Sequence, residues 1–247
     1  MGSLLSALHF LTTIPLLPER PYSHKEFGRA VGYFPLVGLL IGALVVGINY
    51  LAGFIFPESV AAAVTLVSWL VITGALHFDG FLDSFDGLLG GQDEASRLTI
   101  MKDERVGAFG FAAGASLILT KFAVLLSLTG GPMATVGLLL APTLGRWSLS
   151  LAIVTFPYAR ATGLGRGVKD YASWRQVALA TAIASLVALL TLQWMGLAVM
   201  GIAALVVWLC ARFTMRRIPG LTGDIYGAIC EIIELVVLLL LVINWKL

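Results

Sequence analysis

Charge is what this chain has least of. Its 247 residues include 14 Asp and Glu and 16 Lys and Arg, 12% of the sequence, beside 59% apolar side chains. So few charges exclude a soluble globule with a solvated shell, and a mean hydropathy of +0.95 leaves a polytopic membrane protein with the lipid bilayer as its first partner. The long apolar runs lack period-2 alternation, which excludes a membrane β-barrel. In hydrocarbon every backbone polar group must bond within its own segment, so the class is all-α. Cysteine is nearly absent: Cys210 and Cys230 both lie inside apolar runs, which excludes a disulfide framework and makes them small buried hydrophobes. A net charge of +2 supplies no basic surface, and no nucleic-acid partner is expected. Internal repeats and low-complexity tracts are lacking as well, so residues 1–247 are read as one membrane domain, with self-association into a homo-oligomer left open.

What is present is a succession of apolar segments. Residues 32–55, 59–77, 108–128, 132–155, 175–194, 196–212 and 225–244 predict about seven spans. At about 1.5 Å per residue each is long enough for a hydrocarbon layer of about 30 Å. The opening SLLSALHFLTTIPLLP is apolar but short and is closed by Pro15 and Pro18; without a basic leader or a small-residue cleavage site it predicts an interfacial or re-entrant helix.

The cations set the orientation. Arg20, Lys25 and Arg29 precede the first span, and Arg97, Lys102 and Arg105 follow the second. Arg160, Arg166, Lys169 and Arg175 follow the fourth, and Arg212, Arg216 and Arg217 follow the sixth. These thirteen of sixteen fall on one side; Lys121 and Arg146 lie inside spans and Lys246 at the end. The positive-inside rule makes the charged side cytoplasmic and leaves only tight turns such as FPES and TGGP opposite. A water-soluble substrate is expected to arrive from the cytoplasm.

One stretch carries unusual chemistry. GALHFDGFLDSFDGLLGG, residues 74–91, sets down Asp79, Asp83 and Asp86 just after an apolar run. If the second helix continues past the membrane, these stand at i, i+4 and i+7, within about 60° of one another around the axis. Three like charges in one stripe repel and need a positive partner. Hard oxygen ligands on a narrow face suit Mg²⁺ or Mn²⁺, which take one or two carboxylates, waters and substrate phosphates. The plain alternative is a solvated acidic helix end. Against it stand Gly80 and Gly87, which weaken the helix and are expected to admit a ligand close to the backbone. The next segment, SRLTIMKDERVGAFG, adds Arg97, Lys102 and Arg105 beside Asp103 and Glu104. Cations next to a carboxylate-bound metal are what a diphosphate needs.

His77 lies about 160° around the helix from Asp79, which separates it from a shared metal and leaves either substrate contact or an ordinary interfacial histidine. Arg146, inside the fourth span, either faces the carboxylates and a substrate phosphate or closes an internal salt bridge. Lys121, Glu231 and Glu234 are the other members of that second arrangement, and Asp224 opens the same last span. The loop PYARATGLGRGVKDYASWR, with Arg166, is glycine-rich and basic, and reads as an anion-binding flap without the dinucleotide fingerprint. The residues alone therefore describe a membrane-embedded, metal-dependent enzyme that transfers a diphosphate-activated group. A secondary transporter would need access from both faces and charges near the middle of the membrane, whereas here the acids cluster at one edge.

Three families use such acidic helices. A UbiA-type prenyltransferase needs a second Asp-rich motif, for which only the Asp224 region is available; CDP-alcohol phosphotransferases carry an Ala-Arg and a G-x3-D-x3-D tail that Asp79-Gly80-x2-Asp83 lacks. The order FLTTIPLLP, GYFPLVGLLIGA, GALHFDGFLDSFDGLLGG, R-x-x-IMKDERVGAFG, APTLGRW and LTGDIYGA resembles the cobalamin synthase family, the adenosylcobinamide-GDP ribazoletransferases, over nearly the whole chain. Glu104 stands where that pattern more often has serine. The resemblance implies that α-ribazole, or its 5′-phosphate, is joined to adenosylcobinamide-GDP with release of GMP and a requirement for Mg²⁺. Carried onto matching positions, it implies that Asp79, Asp83 and Asp86 bind the metal, with one of them open to serve as general base for the attacking hydroxyl, and that Lys102 and Arg105 hold the diphosphate, with Asp103 either orienting Arg105 or completing the metal shell. Arg97, His77, Arg146, Arg166 and Asp224 complete the expected substrate-binding set.

Overall fold

A computed structural model of the protein describes residues 2–14, 22–128 and 131–243. Pro15, Pro18, Arg20 and Lys246 lie outside the described residues. The regular elements within them are all helical: α1 (Gly2–Leu11), α2 (His24–Ala30), α3 (Phe34–Ile55), α4 (Glu58–Ile72), α5 (Leu76–Phe85), α6 (Glu94–Ile100), α7 (Ala108–Leu128), α8 (Pro132–Thr155), α9 (Leu164–Tyr171), α10 (Trp174–Leu192), α11 (Trp194–Met215) and α12 (Gly223–Val242). A 3₁₀ turn joins α2 to α3, and a π-helical turn, Asp86–Gly90, follows α5.

Six continuous helices are long and apolar enough to cross a bilayer: His24–Ile55, α7, α8, α10, α11 and α12. The first begins eight residues before the expected 32, because Ser23 caps it. The Ser23 hydroxyl accepts from the Glu26 amide, and the Glu26 carboxylate accepts from the Ser23 amide.

The expected second span is not one straight helix. α4 and the segment Leu76–Gly90 meet at 90° across a short break. α4 ends in a Schellman arrangement, Ala75 N–H to Leu70 O at 2.9 Å and Gly74 N–H to Val71 O at 3.0 Å, with Gly74 left-handed at φ +60° and Ala75 at +53°. Thr13, from the segment after α1, donates its amide to Ile72 O (2.9 Å) and its hydroxyl to Val71 O (3.0 Å). The Ile72 carbonyl, left open by the break, thus finds a partner 59 positions away in sequence, and the Val71 carbonyl gains a second donor 58 positions away.

α8 is the central helix, packed against α3, α10 and α12, and residues 140–150 are all buried. At the cation-rich end the connections lie across one another. Lys169 of α9 donates to the carbonyls of Ile153, Val154 and Phe156 at 2.7 to 2.9 Å, closing the C-terminus of α8. Tyr158 bridges to Leu221, which fastens the loop after α8 to the start of α12.

Candidate active site

α5 carries the acidic stretch, and its neighbours decide which carboxylates stay free. Gly80 lies at the crossing with α12, where an added Cβ would come 2.9 Å from Asp224 O, and Gly227 faces the His77 carbonyl at 3.0 Å. On the other side Phe78 and Leu82 pack toward Gly114 of α7. Gly87 is closed in by Met101 and the Arg97 carbonyl. The close approach that Gly80 and Gly87 were expected to offer a ligand is taken by helices.

The three-carboxylate stripe is divided along its length. From Asp79 to Asp86 the helix rises about 10 Å, so Asp86 reaches the first turn of α7. Its carboxylate accepts from Gly107 N–H (2.7 Å) and Gly110 N–H (2.8 Å) and is buried. These are orphan amides at the positive end of a helix, which a carboxylate satisfies well. Asp79 is exposed and Asp83 half-buried. Asp83 lies within electrostatic reach of Asp79, Asp224, Asp86 and Arg160.

Asp79 opens into a cleft of about 410 Å³ whose walls also include His77, Lys102, Tyr158, Arg160 and Asp224. Across it, Arg160 Nη2 donates to Asp224 Oδ2 at 2.8 Å and the Thr222 hydroxyl donates to the same oxygen at 3.2 Å; both charged side chains remain about one-fifth exposed. Tyr158 stacks on Tyr226 with ring centroids 6.1 Å apart. A cleft of this size suits a diphosphate and one attached group and leaves the rest of a larger conjugate outside.

Behind the cleft, inside the membrane, lies a second charged group. Lys121 of α7 donates to Glu231 and Glu234 of α12, both at 2.6 Å, and sits 4.9 Å over the Trp69 ring. Arg146 pairs with Glu234 and approaches His77 Nδ1 at 3.3 Å. All of these side chains are buried. Of the two arrangements open to Arg146, its guanidinium occupies the internal salt bridge, because Glu234 stands about two turns deeper along α12 than Gly227 of the cleft wall.

The remaining expected site residues scatter. Lys102 reaches the cleft. Arg97 donates to the carbonyls of Gln92 and Arg217, tying α6 to the end of α11. Arg105 forms a two-pronged pair with Asp103 at 3.0 and 2.8 Å on the surface, 88% exposed. That pairing holds the Asp103 carboxyl down to about 2, so it is ionised at any physiological pH. Arg166 pairs with Asp170 on the exposed side of α9. The cation of this loop that faces the cleft is Arg160, which the sequence marks only as one basic residue among four; its alignment with Asp224 depends on the Tyr158–Leu221 bridge.

Among the described residues no group of three or more His, Cys, Asp or Glu side chains converges to hold a metal ion alone. The donors that remain free, exposed Asp79 and half-buried Asp83 beside cations, do suit Mg²⁺. That ion commonly keeps several waters and takes one or two carboxylates together with substrate phosphates.

Fold and site together define a multi-pass helical membrane protein whose polar chemistry opens at one face. The comparisons place it further. The model of the cobalamin-5-phosphate synthase family matches residues 3–242, so the chain belongs to that family and is a transferase. It is 40% identical over 244 residues to the adenosylcobinamide-GDP ribazoletransferase of Desulforamulus reducens, covering 98% of this chain and 97% of the relative. It is 40% identical over 240 residues to the protein of that name from Pseudomonas syringae pv. syringae (95% and 96%), and 37% identical over 238 residues to that from Roseiflexus sp. strain RS-1 (96% and 88%). No solved structure matches the chain.

Proposed function

We propose that residues 1–247 act as a single Mg²⁺-dependent transferase domain that joins α-ribazole, or its 5′-phosphate, to adenosylcobinamide-GDP and releases GMP. The observation that carries this reading is the cleft, where the free carboxylate Asp79 shares the walls with Arg160 and Lys102, and Asp83, one turn further along α5, lies within electrostatic reach of Asp79 and Arg160. The names of the relatives supply the substrates.

In this reading a ribazole hydroxyl oxygen attacks the phosphorus on the cobinamide side of the diphosphate. A new P–O bond forms, the bond from that phosphorus to the bridging oxygen breaks, and GMP departs with the electron pair. The hydroxyl proton passes to a cleft carboxylate. Asp79 and Asp83 would hold Mg²⁺, which supplies charge neutralisation on the phosphoryl oxygens. Arg160 and Lys102 bind the diphosphate, and Arg105, steadied by Asp103, meets the nucleotide at the rim. Asp224 orients Arg160, and Asp86 keeps α5 registered on α7. The corrinoid stays outside the cleft, against the membrane interface. The shared side of the cations supports a cytoplasmic orientation in a bacterial inner membrane.

Detergent-purified protein given adenosylcobinamide-GDP, α-ribazole and Mg²⁺ should release GMP, and chelation of the metal should stop it. Folded protein that releases no GMP would overturn the reading; consumption of a prenyl diphosphate instead would point to a prenyltransferase.

A further inference from the structure

We propose that His77 is a catalytic hydrogen-bond donor, its ring held by Arg146 so that Nε2–H points a proton at a phosphoryl oxygen in the cleft. The inference rests on the diphosphate transfer proposed above. It starts from one contact: Arg146 Nη2 lies 3.3 Å from His77 Nδ1. A guanidinium has five N–H donors and no acceptor, so the imidazole nitrogen must be the acceptor. Nδ1 is therefore bare and the ring hydrogen resides on Nε2. Nε2 has no partner among the described residues, it is not among the sealed polar atoms, and His77 forms part of the cleft wall.

The groups around the ring hold this arrangement. Arg146 comes from α8, Glu234 from α12 holds Arg146, and Lys121 from α7 holds Glu234. Asp79 on α5 itself and Asp224 on α12 stand on the cleft side. Gly227 packs on the His77 backbone, which fixes where the side chain is anchored. A guanidinium at Nδ1 also makes this ring a poor metal ligand. His77 makes and breaks no covalent bond; it offers an N–H to the oxygen on which charge grows as GMP leaves. Arg146 is a positioning residue.

The tautomer can be read without turnover. Nitrogen-15 NMR of histidine-labelled protein in micelles contains three histidines, and the His77→Gln spectrum assigns the one at issue. The expected result is His77 with Nδ1 bare and Nε2 protonated; a hydrogen on Nδ1, alone or together with Nε2, would overturn the proposal. In the GMP assay, His77→Asn should lose roughly 10²-fold in kcat with KM little changed. His77→Gln, which restores an N–H near the Nε2 position, should recover at least about tenfold of that loss. Equal losses in the two variants would contradict a donor role. If the unmodified protein releases no GMP, the transfer reading fails and the phosphoryl acceptor goes with it, whatever tautomer the spectrum gives.

Discussion

The protein holds two charged regions built on opposite rules. Inside the membrane, Lys121 and Arg146 meet Glu231 and Glu234, two cations against two acids, every one buried and paired. A few residues away, at the cation-rich end, Asp79 and Asp83 have no salt bridge among the described residues and keep access to solvent, with Lys102 and the Asp224–Arg160 pair nearby. Burying an unpaired charge costs several kcal/mol, so the first group must be complete in the folded chain. The second can stay incomplete because water reaches it, and that incompleteness is what a ligand with metal and phosphate can fill. Balanced charges here join α7, α8 and α12; unbalanced ones face the substrate side. His77 touches both regions.

The difference can be attacked from either side. Glu234→Gln leaves Lys121 and Arg146 short of one acid and should cost about 3–5 kcal/mol, read as a fall in the unfolding midpoint in detergent; an unchanged midpoint would mean the buried group holds nothing together. Asp86→Ala removes two charge-assisted bonds to α7 and should cost about 1.5–3 kcal/mol. If it instead abolished GMP release at unchanged stability, Asp86 would belong with the free carboxylates. Arg160→Lys keeps the charge but loses the planar fork, so KM for adenosylcobinamide-GDP should rise about tenfold, or roughly 1.4 kcal/mol, with the midpoint little altered. Arg166→Gln breaks only the exposed pair with Asp170 and should change stability by about 0.5 kcal/mol or less; a large loss of turnover there would return the loop's binding role to Arg166.

Much of this architecture is legible in the residues, for a physical reason. Bilayer thickness fixes how long an apolar run must be, so spans such as Ala108–Leu128 and Pro132–Thr155 coincide with the expected limits. The break at Thr73–Ala75 is not legible. It depends on Thr13 arriving from the N-terminal segment, a partner that no local window contains. The closeness of the three carboxylates is readable from their spacing, since Asp83 lies within electrostatic reach of both Asp79 and Asp86. Helical phase says nothing about what stands at each end, and the α7 amides take Asp86. Gly80 and Gly87 signal a close approach without naming the approaching group. Arg160 looks like Arg166 or Lys169 until the chain folds back on Leu221, and the open question over Arg146 is settled only by where Glu234 stands on α12.

The division of charges is tested most directly by GMP release from Asp83→Asn, assayed with Mg²⁺, adenosylcobinamide-GDP and α-ribazole on protein whose unfolding midpoint is measured in the same preparation. The account predicts an unaltered midpoint and no detectable GMP. Near-normal release would remove Asp83 from the metal site, and a collapsed midpoint would place it with the charges that hold the fold.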